Sequence, residues 1–158
     1  MSAMIALFLG VGCVGFGFDA PQVLALAPHP VSIVLPAGFE RDPRTDRAVY
    51  RHPEDGRAIT VAAAQPGGAA ATRSVSEALP GATVAVDWVR PYAYDGHTGT
   101  EARVTEASPT PSTHWIAAID LPSGVVFVDV AIPADVGTIP DGDTLWREAR
   151  DTIRYVPP

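Results

Sequence analysis

The sequence predicts an α+β domain, an antiparallel sheet of about six or seven strands with helices packed on its faces. Three observations predict it. "HWIAAIDL" (His114 to Leu121) and "VVFVDVAIP" (Val125 to Pro133) flank Pro122-Ser123-Gly124 and read as a hairpin of two central strands. Both arms are β-branched or aromatic, and few charges interrupt them. Upstream, shorter runs alternate apolar and polar residues and are separated by turn residues. At the end, "DTLWREARDTIRYV" (Asp143 to Val156) repeats apolar residues at four- and three-residue spacing, as an amphipathic helix does. Hairpins give antiparallel pairing, and helices with apolar stripes must cover the sheet.

The elements follow in order. "VSIVLP" (Val31 to Pro36) is a short apolar strand ended by Pro36 and Gly38. "RDPRTDR" (Arg41 to Arg47) mixes charge signs and reads as a solvated loop. "AVYRH" (Ala48 to His52) alternates, with Val49 facing away from Tyr50. The turn "PEDG" joins it to "RAITVAAA" (Arg57 to Ala64), a second arm. "TRSVSEAL" (Thr72 to Leu79) is a short helix. Ser74 and Glu77 form its capping box, and Pro80-Gly81 ends it.

"ATVAVDWVRPYAY" (Ala82 to Tyr94) places Val84, Val86 and Trp88 on one face, and Pro91 means that this strand ends there or lies at a sheet edge. "DGHTG" (Asp95 to Gly99) is a turn, and "TEARVTEA" (Thr100 to Ala107) is a half-exposed strand. In the closing helix Asp143 is the N-cap, and Leu145, Ala149, Ile153 and Val156 form the buried stripe, with Trp146 beside them. Trp88, Trp115 and Trp146 read as core, and a tryptophan exposed beside Tyr92 and Tyr94 would instead mark an interaction patch.

Composition narrows the function. The chain has 158 residues, suited to one domain, and a net charge of −7 from 18 acidic and 11 basic residues. All the basic residues are arginines and none forms a dense run, so a nucleic-acid partner is not expected. One cysteine excludes an internal disulfide and a Cys-based zinc site.

The N-terminal segment carries an address. No charged side chain precedes Asp19. Residues 1–27 read as an export signal or membrane anchor, and residues 28–158 as a single domain. Cys13 follows Gly12 and is a candidate lipidation site, although Gly10 stands where a lipoprotein signal expects Leu. Ala25-Leu26-Ala27 offers an alternative cleavage site after Ala27. Gly10, Gly12 and Gly15 match a dinucleotide fingerprint, but no strand precedes them and no helix follows, so no nucleotide cofactor is expected.

A resemblance joins these elements. The order "VSIVLPAGFERD", a strand pair, a helix near "SVSEAL", "YDGHTGTEARV", the long hairpin and the closing "LWREARDTIRY" is similar to the Mog1/PsbP-like family, including DcrB- and LpqN-type bacterial lipoproteins. It covers about Val31 to Val156, and Thr152 stands where the family often has Ser. The resemblance implies a sheet with helices against its two faces and a binding or scaffold role, often at a membrane surface. It brings no catalytic residues.

No residue set amounts to an active site. His29, His52, His97 and His114 show no metal-ligand spacing. His52 and His97 fall in turns and His114 opens a strand. "PDGD" (Pro140 to Asp143) is a turn with an N-cap, and lacks the ligand spacing of a calcium loop. Ser123 lacks the G-x-S-x-G elbow of a nucleophile. No catalytic, cofactor-binding or metal-ligating residue is therefore assigned. The reading is a non-catalytic accessory or binding domain, exported or membrane-tethered at the cell envelope. It has a protein partner that the sequence does not name, and a membrane contact through its N-terminal segment. Two alternatives stand beside it. One is a DcrB-like chaperone sheltering apolar segments of a secreted effector, which an exposed apolar groove would favour. The other is a small envelope hydrolase, which a pocket gathering His97 or His114 with carboxylates would favour.

Overall fold

The computed structural model describes residues 22–25, 31–44, 48–64, 79, 82–108, 111–122, 124–136 and 139–156. Cys13, His29, Ser123 and the predicted helix over Thr72 to Leu79, Leu79 apart, lie outside them.

Ten strands and one helix are described. The strands are β1 (Gln22–Ala25), β2 (Val31–Leu35), β3 (Glu40–Arg41), β4 (Ala48–Arg51), β5 (Ala58–Ala64), β6 (Thr83–Tyr94), β7 (His97–Ser108), β8 (Ser112–Leu121), β9 (Gly124–Pro133) and β10 (Arg154–Tyr155). The helix, α1, spans Ile139–Arg150. Seven strands form one antiparallel sheet in the order β3-β4-β5-β9-β8-β7-β6. A smaller sheet has the order β1-β2-β10. The expected class, an antiparallel sheet of about six or seven strands with helices on its faces, is borne out as a seven-stranded sheet with one helix packed on it among the described residues.

The strongest apolar runs occupy the middle of the large sheet. β8 is buried along almost its whole length because both of its faces are covered. One face carries Trp115, Ala117 and Ile119 with Val126, Val128 and Val130, under Leu145, Trp146 and Ala149 of α1 and Val31, Ile33 and Leu35 of β2. The opposite face holds a smaller cluster of Val104, Ile116, Ala118 and Phe127, against which Leu79 packs.

The β6–β7 hairpin turns at Asp95-Gly96, where both φ angles are positive (50° and 83°). That is the two-residue geometry whose twist suits paired strands. The turn is thus shorter than expected, and His97 is the first residue of β7. β6 ends the sheet, so Pro91 costs no ladder hydrogen bond on its outer side.

A bulge corrects the expected face of β6. Val86 pairs with Val104, but Trp88 pairs with Arg103, which leaves Asp87 as an extra residue. Directly paired residues share a face. Val86 and Val89 therefore lie with Val104 and Ala102, while Trp88 turns to the opposite, helix-covered face.

The C-terminal helix also departs from expectation. It begins at Ile139, so "PDGD" is helix and Asp143 lies within it instead of capping it. Pro140 is tolerated in a first turn because its missing N–H has no intrahelical partner there. Gly142 permits the earlier start, since a methyl group there would overlap the fully buried Trp115 ring. The helix stops at Arg150. The Thr152 hydroxyl donates to Ala149 O at 2.7 Å and accepts from Val34 N at 3.0 Å, which ties the helix end to β2. Ile153 is still buried, but Val156 is 46% exposed and leaves the stripe. "RDPRTDR" is also not wholly solvated. Asp42 is buried and accepts hydrogen bonds from Arg44 and Arg51. Arg44's side-chain and backbone donors, joined by Arg51, hold its carboxyl well below the usual carboxylate range.

Candidate functional site

Two polar constellations form on opposite faces of the large sheet. The first is an arginine-lined pocket between the β6–β7 hairpin and α1. The bulge at Asp87 aims Trp88 to this side, where Arg90 and Tyr92 follow at the two-residue repeat of a strand. β7 contributes Glu101 and Arg103, while α1 contributes Asp143, Trp146, Arg147 and Arg150. The resulting cavity holds about 220 Å³.

Behind the pocket wall lies a buried carboxylate. Glu101 is 1% exposed and accepts from Arg90 Nε, from Arg150 Nη1 at 3.2 Å and from Trp146 Nε1 at 3.0 Å. A buried charge persists only when it is paired and hydrogen-bonded, and these three donors meet that demand. They also fix two guanidinium groups at the rim. Arg90 lies over Trp88 at 4.6 Å, and Arg150 over Tyr92 at 4.4 Å. Arg103 bonds to Asp87 at 2.9 Å and faces Asp143 at 3.6 Å. Asp143 in turn accepts from Trp115 Nε1 at 2.7 Å, which anchors that wall to the core. Trp115 and Trp146 are core, as expected, but Trp88 is only half-buried and shares a face with Tyr92 and Tyr94.

The second constellation surrounds His114. Its Nδ1 faces both oxygens of Asp129 at 3.0 and 3.1 Å. Its Nε2 faces Ser112 Oγ at 2.8 Å and Glu106 Oε2 at 3.1 Å. Ser112, His114 and Asp129 are all buried. Three strands place them: β7 carries Glu106, β8 carries Ser112 and His114, and β9 carries Asp129. Burial pulls the imidazole pKa down, but the hydrogen bond to Asp129 and the charges of Asp129 and Glu106 outweigh it, so the net shift is upward.

The order Ser–His–Asp matches that of a nucleophilic triad, with Glu106 as a second carboxylate on the ring. A general base must be neutral at the nitrogen that takes the proton. Here Glu106 shares Nε2 with Ser112, and two carboxylates favour the charged ring. The set links three strands, and its contacts to Asp129 and Glu106 become ion pairs when the ring is protonated. Sequence reading placed His114 at a strand start and missed its partners, because all three are distant in sequence or hidden in ordinary alternation.

The other histidines stand apart. His52 lies in its turn, 3.3 Å from Asp55. The His97 ring lies 4.5 Å from Tyr155. Among the described residues no group of three or more His, Cys, Asp or Glu side chains is arranged to hold a metal ion.

No protein-family model matches the sequence, and no curated protein matches it. Solved structures do. The Ran-binding protein Mog1p of Saccharomyces cerevisiae superposes with a TM-score of 0.61 at 14% identity, over 86% of this chain and 95% of that one. PsbP of the cyanobacterium Synechocystis sp. PCC 6803 (CyanoP) superposes with a TM-score of 0.60 at 11% identity, over 92% of this chain and 98% of that one. At such identities the likeness concerns backbone architecture, and side-chain chemistry does not transfer with it. The seven-stranded antiparallel sheet, the helix across one face and the strand order together give this chain the Mog1/PsbP-like fold.

Proposed function

We propose that this protein is a non-catalytic binding domain, tethered at the cell envelope, that engages a protein partner along β6. The carrying observation is the surface of that strand. Val86 and Val89 are 53% and 43% exposed, and the bulge places both on one face. β6 is a long edge strand, and among the described residues no strand pairs its outer side. An apolar edge of this kind is a liability unless a partner covers it. That one protein of this fold binds Ran supports a protein-binding role, without indicating the partner here.

Tethering through Cys13 is favoured over cleavage after Ala27 by the small sheet. β1 (Gln22–Ala25) pairs with β2 from Gln22↔Leu35 to Ala25↔Ser32. Cleavage after Ala27 removes that strand, whereas a chain starting at lipidated Cys13 keeps it.

The test is a photo-crosslinking residue at position 89 in cells making the full chain, with position 54 as control, followed by intact-mass analysis of membrane and soluble fractions. The expected result is a discrete adduct from position 89 only, on a membrane-bound chain that begins at a diacylglycerol-modified Cys13. A soluble chain with Met1 intact overturns the tether. Equal, diffuse labelling from both positions overturns the β6 interface.

For the chaperone alternative, the large exposed apolar residues among those described are Val86, Val89 and Val156, and they do not outline a groove. The hydrolase alternative is served by the grouping of His114 with Ser112 and carboxylates, where Glu106 shares the ring Nε2 with Ser112.

A further inference from the structure

We propose that docking along β6 is linked to a proton on His114: a partner covering the valine stripe binds tightly while the ring is charged and is released as the ring is neutralised. This deepens the partner-binding reading of β6 and rests on it. It does not depend on the tether.

Sheet register comes first. Directly paired residues share a face. Val84 pairs with Glu106, and Glu106 with Ser112. Val86 pairs with Val104, and Val104 with His114. Val89 pairs with Ala102, Ala102 with Ile116, and Ile116 with Asp129. The valines of β6 and the polar set around His114 thus lie in the same three rows of one face. His114 stands two strands in from Val86, about 10 Å at ordinary strand spacing. Glu106 stands one strand in, directly beside Val84.

The charges facing the ring come from both neighbouring strands. Glu106 of β7 lies 3.1 Å from Nε2, and Asp129 of β9 lies 3.0 Å from Nδ1. Ser112, on the same strand as the ring, adds a neutral hydroxyl 3.3 Å from Glu106. Among the described residues His114 is the one cation within ion-pair reach of either carboxylate. The two carboxylates differ in place. Asp129 is three strands from the edge, whereas Glu106 is on the strand next to it. The Glu106 side chain keeps 12% of its surface in water there.

A partner laid over Val84, Val86 and Val89 takes the remaining water from Glu106. A carboxylate without water persists only when paired, and its pairing cation exists only while His114 is protonated. The docked state therefore holds that proton more firmly than the free chain does. Linkage is reciprocal, so the proton also tightens docking. In the free chain burial lowers the pKa of the ring, and Asp129 and Glu106 more than reverse this. Covering Glu106 strengthens the second effect. Docking strength is therefore constant below the free chain's midpoint, falls as pH rises from there to the higher midpoint of the complex, and levels off above it. The fall is at most about tenfold for each pH step of one, the limit for a single linked proton.

The test uses the full chain with a photo-crosslinking residue at position 89, mixed with a limiting amount of membranes from the cells that make it. Samples are illuminated from about pH 6 to about pH 9, a range that brackets a raised imidazole value. The midpoint of the free chain is read from the His114 imidazole signals of the ¹⁵N-labelled chain without membranes. The expected result is an adduct whose yield is level at low pH and falls by about tenfold above that midpoint. Glu106→Gln removes the charge that docking covers and leaves the valines and the His114–Asp129 pair in place, so its yield is expected to stay level. Glu54→Gln, exposed in the β4–β5 turn, is expected to follow the parent. Dispersed backbone spectra at both ends of the range verify that each chain stays folded. The inference is overturned if the parent's yield is level across the range, which leaves the docking reading standing, or if E106Q falls as the parent does. No adduct from position 89 at any pH overturns the docking reading and this inference together.

Discussion

His114 gathers the largest concentration of electrostatic consequence on a single side chain. Its ring holds Asp129 on β9 and Glu106 on β7 at about the same distance, 3.0 and 3.1 Å. The net effect raises its pKa in the fold above the ordinary value of about 6.5. The charged ring is therefore favoured by the folded state. Its contribution is fully present below about pH 6.5 and is lost as pH rises through the higher folded value. Denaturant midpoints are expected to fall over that upper range, and the fall should vanish in His114→Gln. A midpoint independent of pH in the parent would contradict these ion pairs. At pH 6 the same variant should lose about 3 kcal/mol, because buried Asp129 and partly buried Glu106 lose their cation. Gly142 makes the second residue-scale prediction. Adding a methyl group forces α1 away from Trp115. Gly142→Ala should therefore destabilise by about 1–3 kcal/mol despite its better helix propensity, as overpacking does. A stabilised variant in thermal unfolding would show that the helix docks less closely. The sequence showed Gly142 only as a turn glycine, because nothing local reveals which ring it faces.

At the scale of elements, β6 shows how one inserted residue redirects a surface. A one-residue shift exchanges the two faces of a strand. Asp87 supplies that shift in mid-strand, so Val84 and Val86 face one way and Trp88 the other. Strict alternation in "TVAVDWVRPYAY" gave no sign of it, and the expected shared face was wrong for that reason. Deleting Asp87 is expected to turn Trp88 off the helix-covered face and to move tryptophan emission to longer wavelength. It should leave the β8–β9 hairpin amides dispersed. An unchanged pocket would mean that the bulge migrates instead of vanishing. The start of α1 was misread for a related reason. "PDGD" has the composition of a turn, yet Trp115 Nε1 donates to Asp143 at 2.7 Å and holds that turn in helical form. Tertiary contact overrode local propensity there.

Across the whole molecule, stability should follow sheet order. β8 and β9 lie in the middle with both faces covered, while β6 and β3 form the edges. Amide exchange is expected to be slowest at Ile116 to Ala118 and Phe127 to Val130, and fastest at Thr83 to Val89. Equal protection of β6 in the isolated protein would mean that its outer edge is covered. The sequence by itself determined the class, the hairpin at the centre and the core role of Trp115 and Trp146, and narrowed Pro91 to a strand end or a sheet edge. Each of these rests on local periodicity or on chain-breaking chemistry, which a short stretch expresses unaided. It also carried the order of elements that resembles the Mog1/PsbP-like family, and the solved structures bear that fold out. Tertiary structure alone decided the His114 cluster, the buried pairing of Glu101 and the gathering of four arginines around one cavity. Glu101 and Arg150 are 49 positions apart, and Tyr92 meets Asp151 across 59. Such pairs leave no local pattern, because their attraction acts only after strand pairing and helix docking have brought them within a few ångströms and excluded the water between them.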